Sequence, residues 1–134
     1  MPPAMSARAS AARRGPLLLV VATLGLAGCG SSTPTTVITH HELRLSEDEY
    51  RILPRSVSVP PGRLKIVVTN NGVLAHNLEI ERNGIVLGTI STVLPGGLGG
   101  PIKVTLPPGT YTLASTNGDA ANLGMMSTLV VRAH

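Results

Sequence analysis

The chain has 134 residues, with eleven Lys and Arg against seven Asp and Glu, four His, and a formal charge of +4. Trp and Phe are absent and Tyr occurs twice, so there is no aromatic platform for bases and no basic stripe; this composition points away from nucleic acid. The first 28 residues stand apart from the rest. Arg8, Arg13 and Arg14 form a basic start without acidic residues, and Leu17 to Leu26 is an apolar run too short to span a bilayer. Losing those three arginines leaves eight Lys and Arg against the seven acidic residues, so the remainder is close to neutral.

Leu26-Ala27-Gly28-Cys29 follows the apolar run, and Gly30-Ser31-Ser32-Thr33-Pro34 follows the cysteine. Small residues directly before a Cys, then a flexible tether, resemble a bacterial lipobox. The resemblance implies a signal peptide over 1–28, removed after Cys29 receives a diacylglyceryl group, and a tether over 29–36. Acyl chains beyond the first give stable anchoring, so the expected location is extracytoplasmic and membrane-bound, with the lipid bilayer as a partner. Cys29 is the sole cysteine. As a thioether it leaves the mature protein without a disulfide or free thiol.

Residues 37–134 make one domain of ordinary size, and the 31 Val, Leu and Ile residues they contain supply an aliphatic core. Short apolar runs broken by Pro and Gly indicate an all-β chain. Thr35 to Leu45 is the expected opening strand. His40-His41-Glu42 has a metal-binding flavour, but neighbours in a strand face opposite ways, which favours a solvated edge. Glu47-Asp48-Glu49-Tyr50 is expected as an acidic loop with Tyr50 turned inward. Arg55 to Val59 alternates, Pro60-Pro61-Gly62 turns, and Leu64 to Thr69 is a nearly continuous apolar run suited to a central strand.

Asn70-Asn71-Gly72 should turn the chain through a positive φ and deliver His76 to the end of the next strand. Arg82-Asn83-Gly84 is a hairpin turn between that strand and Ile85 to Ile90. Five of the fifteen glycines fall between Gly88 and Gly100, which predicts a mobile loop over Leu94 to Gly100. Ile102 to Leu106 is the next strand. Pro107-Pro108-Gly109 turns into the strand Thr110 to Ser115, a polar loop runs from Asn117 to Gly124, and Ser127 to Val131 closes the chain.

The Pro107–Val131 stretch resembles the metal-bearing hairpin of the cupredoxins, the blue-copper β-sandwich family. Asn70 to His76 resembles that family's second signature, in which Asn-x-Gly ends a strand and a His begins the next. The "acidic–Tyr–x–Ile–x–Pro" run at Glu49 to Pro54 is also similar to stretches near their second strand. The resemblance covers Val37 to Val131 and implies a Greek-key β-sandwich of about seven or eight strands. It places His76 at the first copper-ligand position, Ser115 at the Cys position, Ala120 at the second His position and Met125 at the axial Met.

A blue-copper centre needs a thiolate, two imidazoles and a weak thioether. Ser115 offers a protonated hydroxyl and Ala120 offers nothing, so these two positions are degenerate and blue-copper electron transfer is not expected. The expected function is a non-catalytic binding or interaction module of the cell envelope, with no resident cofactor, whose partner is an envelope protein or small ligand. The alternative is a copper-handling protein that holds Cu(I) weakly through His76 with Met125 or Met126, since thioethers suit that ion. Packing is the plainer role for both methionines. An enzyme ranks third: Ser115, His76 and Asp119 sit in loops that meet at one end, but no oxyanion hole is visible.

Overall fold

The computed structural model describes Gly30 and residues 32–134. The basic leader, its apolar run and Cys29 lie outside the described residues. Ser31–His134 is a compact unit of its own, and its two sheets and core are built wholly from residues 36–131.

No helix occurs among the described residues; there are ten strands. They are β1 (Thr36–Val37), β2 (Glu42–Asp48), β3 (Arg51–Leu53), β4 (Ser56–Val59), β5 (Gly62–Asn70), β6 (His76–Arg82), β7 (Ile85–Val93), β8 (Leu98–Leu106), β9 (Gly109–Ala114) and β10 (Met126–Val131). Six form one sheet in the order β1-β4-β10-β9-β6-β7, and four form the other in the order β3-β2-β5-β8. Inward residues from both sheets make a single aliphatic core, including Leu43, Ile66, Leu78, Leu113 and Leu129, all essentially inaccessible. The alternation that makes each strand amphipathic is what joins the sheets. β5, central in its sheet, buries Ile66, Val67 and Val68 consecutively, as its apolar run predicts.

Ten strands exceed the expected seven or eight because two runs divide. The opening run bends at His40-His41, which leaves β1 parallel to β4 and starts β2 afresh. Both histidines are exposed, and His41 contributes only its carbonyl, accepting from Lys65 N at 2.9 Å. The acidic stretch is likewise no simple loop. Glu47 and Asp48 belong to β2, and only Glu49 and Tyr50 turn the chain into β3. Tyr50 takes a φ of 65° there and is 47% exposed, so it does not pack inward as expected. Tyr50 lies in the reversal between β2 and β3, so the inward-facing period of neither strand includes it.

Two further corrections concern glycine. Leu98 to Gly100 opens β8 instead of continuing a loop, and Gly99 is buried. A Cβ there would come within 2.5 Å of Val93 Cγ2 and 2.9 Å of Ile90 Cγ2, so glycine is what lets β8 close against β7. The preceding Pro95-Gly96-Gly97 turn is tied down by Asn70, whose N–H donates to Gly97 O at 3.0 Å and whose carbonyl accepts from Gly96 N at 2.8 Å. The β6–β7 hairpin turns as expected, with Asn83 at φ 53° and Gly84 at φ 78°.

Tyr111 on β9 is the largest fully buried side chain, 1% exposed. Its hydroxyl donates to Pro107 O at 2.7 Å and accepts from Arg82 Nη1 at 3.3 Å, and the Arg82 guanidinium lies 5.2 Å from the ring centroid. The tyrosine thus fixes the turn that leads into its own strand. Tyr111→Ala should cost about 3–5 kcal/mol in urea unfolding, and Tyr111→Phe only about 1 kcal/mol. A loss below about 1 kcal/mol for the alanine variant would mean that the ring is not a core element.

Candidate functional site

His76, Ser115, Ala120 and Met125 are all buried at one end of the sandwich, between 0% and 7% exposed. The chain brings them there by short connections. His76 opens β6, Ser115 directly follows β9, and Met125 directly precedes β10. Ser115 N donates to Met125 O at 3.2 Å, and Met125 N donates to Ala120 O at 3.0 Å, so the three hairpin positions are linked through the backbone. Met126 is not part of the group. It pairs with Ala114 in β10 register and is 46% exposed, because successive strand residues face opposite sides.

The residue that ties His76 to the hairpin is its neighbour Asn77. The Asn77 amide oxygen accepts from Thr116 N at 2.7 Å, Asn117 N at 3.0 Å and Ser115 Oγ at 3.1 Å. Its Nδ2 donates to Thr116 Oγ1 at 2.8 Å. The Ser115 hydroxyl therefore spends its proton on Asn77, not on His76, and Asp119 stands exposed on the loop. That is not the arrangement of a nucleophile, base and orienting acid.

The loop before His76 is shaped by side chains. Asn70 Oδ1 accepts from Gly72 N at 2.9 Å, and Asn70 Nδ2 donates to Leu74 O at 2.7 Å and Val93 O at 2.9 Å. Gly72 does not adopt the positive φ expected of it; it lies against the Glu49 carboxylate, which a Cβ there would displace. That carboxylate accepts from Val73 N at 2.6 Å and Leu74 N at 3.1 Å, and these two bonds hold its pKa below the usual carboxylate range.

Two side chains here are buried without hydrogen-bond partners. Neither ring nitrogen of His76 has one; Nε2 is 3.9 Å from Glu49 Oε1, too far for a hydrogen bond. Both carboxyl oxygens of Glu47 are likewise unpartnered, and the residue is fully buried on the inward face of β2 with Leu43 and Leu45. Burial alone pushes its pKa up to about 7.

Asn77 and Glu47 lie outside the motifs of the sequence, and the motifs that contain Asn70 and Glu49 do not show their hydrogen-bonding roles. Glu47 had a signal: it continues the period-two pattern of Leu43 and Leu45, which aims it inward. Asn77 had a weaker one, as a poor strand former inside an apolar strand.

The fold is that of a cupredoxin-like β-sandwich. Solved structures similar to this chain include reduced auracyanin from the photosynthetic bacterium Roseiflexus castenholzii, at 18% identity and a TM-score of 0.63, covering 72% of this chain and 100% of that one. Auracyanin A, a "blue" copper protein from Chloroflexus aurantiacus, matches at 16% identity and a TM-score of 0.59, covering 72% and 99%. Rusticyanin from Thiobacillus ferrooxidans matches at 16% identity and a TM-score of 0.56, covering 73% and 82%. No family model and no curated protein sequence matches this chain. At these identities the likeness establishes the fold.

The donor set does not fit a blue-copper centre. The four side chains buried at this end are an imidazole, a thioether, a hydroxyl and a methyl, with no thiolate and no second imidazole. No cluster of three or more His, Cys, Asp or Glu is placed to hold a metal ion among the described residues.

Glu47 makes stability depend on pH. Its native pKa lies above the ordinary 4.5, so the folded state binds the proton more tightly than the unfolded chain does. The resulting penalty is absent below the unfolded pKa, grows as pH rises and is complete above about 7. The volume-conserving change Glu47→Met should therefore stabilise the protein, and the gain at pH 8 should exceed that at pH 5 by about 2–3 kcal/mol. Equal gains in urea unfolding at the two pH values would show that the carboxyl is not buried as described.

Proposed function

We propose that this protein is a membrane-anchored lipoprotein of the cell envelope whose cupredoxin-like domain serves as a non-catalytic binding or interaction module. The observation that carries the reading is the state of Ser115. It stands at the family's thiolate position, fully buried, with its hydroxyl committed to Asn77 and its N–H to Met125 O. Beside it Ala120 is packed into the hydrophobic core. A site closed by hydrogen bonds and methyl groups favours rigidity over ligand exchange.

A second reading is supported by His76 itself. A buried imidazole without any hydrogen-bond partner costs free energy that a bound cation would recover, and Met125 supplies a buried thioether at the same end. Weak Cu(I) binding through His76 and Met125 fits that pair. Met126, which lies exposed on β10, is less suited to join them.

Copper chemistry separates these readings. With protein beginning at Gly30, Cu(II) should give no intense visible thiolate-to-copper band. Ser115→Cys with Ala120→His should create one, and adding His76→Ala should abolish it. A folded double variant that stays colourless at saturating copper would sink the assignment of the four positions. A saturable 1:1 Cu(I) titration of the unmodified protein, lost in His76→Ala, would favour copper handling over the interaction module.

The anchor is tested separately. In cells, Cys29→Ser should leave an uncleaved precursor or move the protein from the detergent phase to the aqueous phase. Unchanged mass and partitioning would count against lipidation.

A further inference from the structure

Some 20 Å along β6 from His76, at strand rise per residue, the sandwich opens again at the Arg82 end. Here β7 is the last strand of one sheet and β8 the last of the other. The two edges meet closely at Gly88, where a Cβ would come within 3.0 Å of Ile102 Cγ2 and 3.3 Å of Val104 Cγ1. Between that point and the β6–β7 hairpin, the two edges border an open wedge, a cavity of about 620 Å³ lined from β6, β7, β8 and β9. Ile85, Leu87, Val104 and Leu106 line it, with Arg82 and Lys103 as its cations. Ile85 and Leu87 are 63% and 43% exposed, unusual for aliphatic residues in succession along one strand.

The charge of this wedge is uncompensated. Among the described residues neither Arg82 nor Lys103 has a carboxylate within salt-bridge distance. The nearby Glu81 carboxylate accepts from Gly84 N at 3.1 Å in the hairpin turn. Arg82 is also held in place, since its guanidinium lies over the Tyr111 ring and Nη1 donates to the Tyr111 hydroxyl. That leaves a fixed, half-buried fork of donors at the mouth of an apolar groove. Cavities of this size with an apolar lining and a few convergent polar groups are the usual form of a small-molecule site.

We infer that this wedge is a binding site for a small aliphatic monocarboxylate, with the carboxylate on Arg82 and Lys103 and the hydrocarbon along Ile85, Leu87 and Val104. The site lies at the opposite end of β6 from His76, so it stands whether or not copper binds there.

Octanoate is the probe, titrated into protein beginning at Gly30, the self-contained sandwich unit, and followed by amide chemical shifts. Saturable 1:1 binding is expected, with shift changes concentrated at Ile85 to Leu87 and Val104 to Leu106. Octanol, which keeps the chain and loses the charge, should bind about tenfold more weakly. Lys103→Gln, an exposed change that leaves the core intact, should weaken octanoate about threefold. Arg82→Gln should weaken it about tenfold, and thermal unfolding will show whether that variant keeps its fold. Three results would each overturn the proposal: no saturation in the millimolar range, equal affinity for octanol and octanoate, or shift changes centred at the His76 end. Unchanged affinity in a folded Lys103→Gln variant would remove Lys103 from the site and overturn the two-cation arrangement.

Discussion

The amide oxygen of Asn77 holds this end of the sandwich together. It takes three hydrogen bonds from three consecutive residues, Ser115, Thr116 and Asn117, and so fixes the point at which β9 becomes the loop that ends at Met125. Without that acceptor, two backbone N–H groups and a buried hydroxyl would each need another partner. A buried donor left unmade costs about 1–3 kcal/mol, a penalty that applies here to the Ser115 hydroxyl, since Thr116 and Asn117 are exposed. A carboxylate of similar size could accept as many bonds, but it would carry a charge into a nearly dry site and lose the Nδ2 bond to Thr116.

The same end carries the two buried polar side chains that nothing satisfies. His76 and Glu47 reach it from different sheets, one opening β6 and the other near the close of β2. Natural interiors rarely leave such groups unpaired, and those that persist commonly mark strain or function. Glu47 avoids part of the cost by keeping its proton up to about pH 7. The loop between β5 and β6 shows the opposite solution, with Glu49 neutralising its surroundings by accepting two backbone N–H groups in the open. Two carboxyls two residues apart thus have pKa values displaced in opposite directions. The end of the strand decides which is which: Glu47 faces in on β2, whereas Glu49, which the same period would also turn inward, has already left the strand.

Much of the fold was legible in the sequence because its strands announce themselves. The runs Arg55 to Val59, Leu64 to Thr69, Thr110 to Ser115 and Ser127 to Val131 each lie within a residue or two of β4, β5, β9 and β10. Asn83-Gly84 turns where such a pair should. The misses have a common cause. Residue type does not show the settings of Tyr50, Gly72 and Gly99: a left-handed turn, the approach of the Glu49 carboxylate, and the closing of β8 on β7. The expectation that His76, Ser115, Ala120 and Met125 share one end rests on the cupredoxin resemblance, not on spacing alone. The bonding role of Asn77 shows only in the fold, since its three acceptor bonds reach residues 38 to 40 positions away.

The poverty in aromatics connects the two ends. Two packed sheets stand about 10 Å apart and need side chains large enough to fill the gap along their whole length. Here a single buried tyrosine and aliphatic residues must do so. Where Gly88 and Gly99 let the backbones approach, Ile90, Val93 and Ile102 are sufficient, and the edge closes. Past Gly88 no large ring extends from β7 or β8, because their side chains there are Ile85, Val86, Leu87, Lys103, Val104, Thr105 and Leu106. Tyr111 closes the floor but stays on β9, bonded to Pro107 and lying under Arg82. The wedge is therefore a consequence of side-chain size along two edge strands. Its charge comes from the same place, since the guanidinium that lies over the tyrosine also lines the opening.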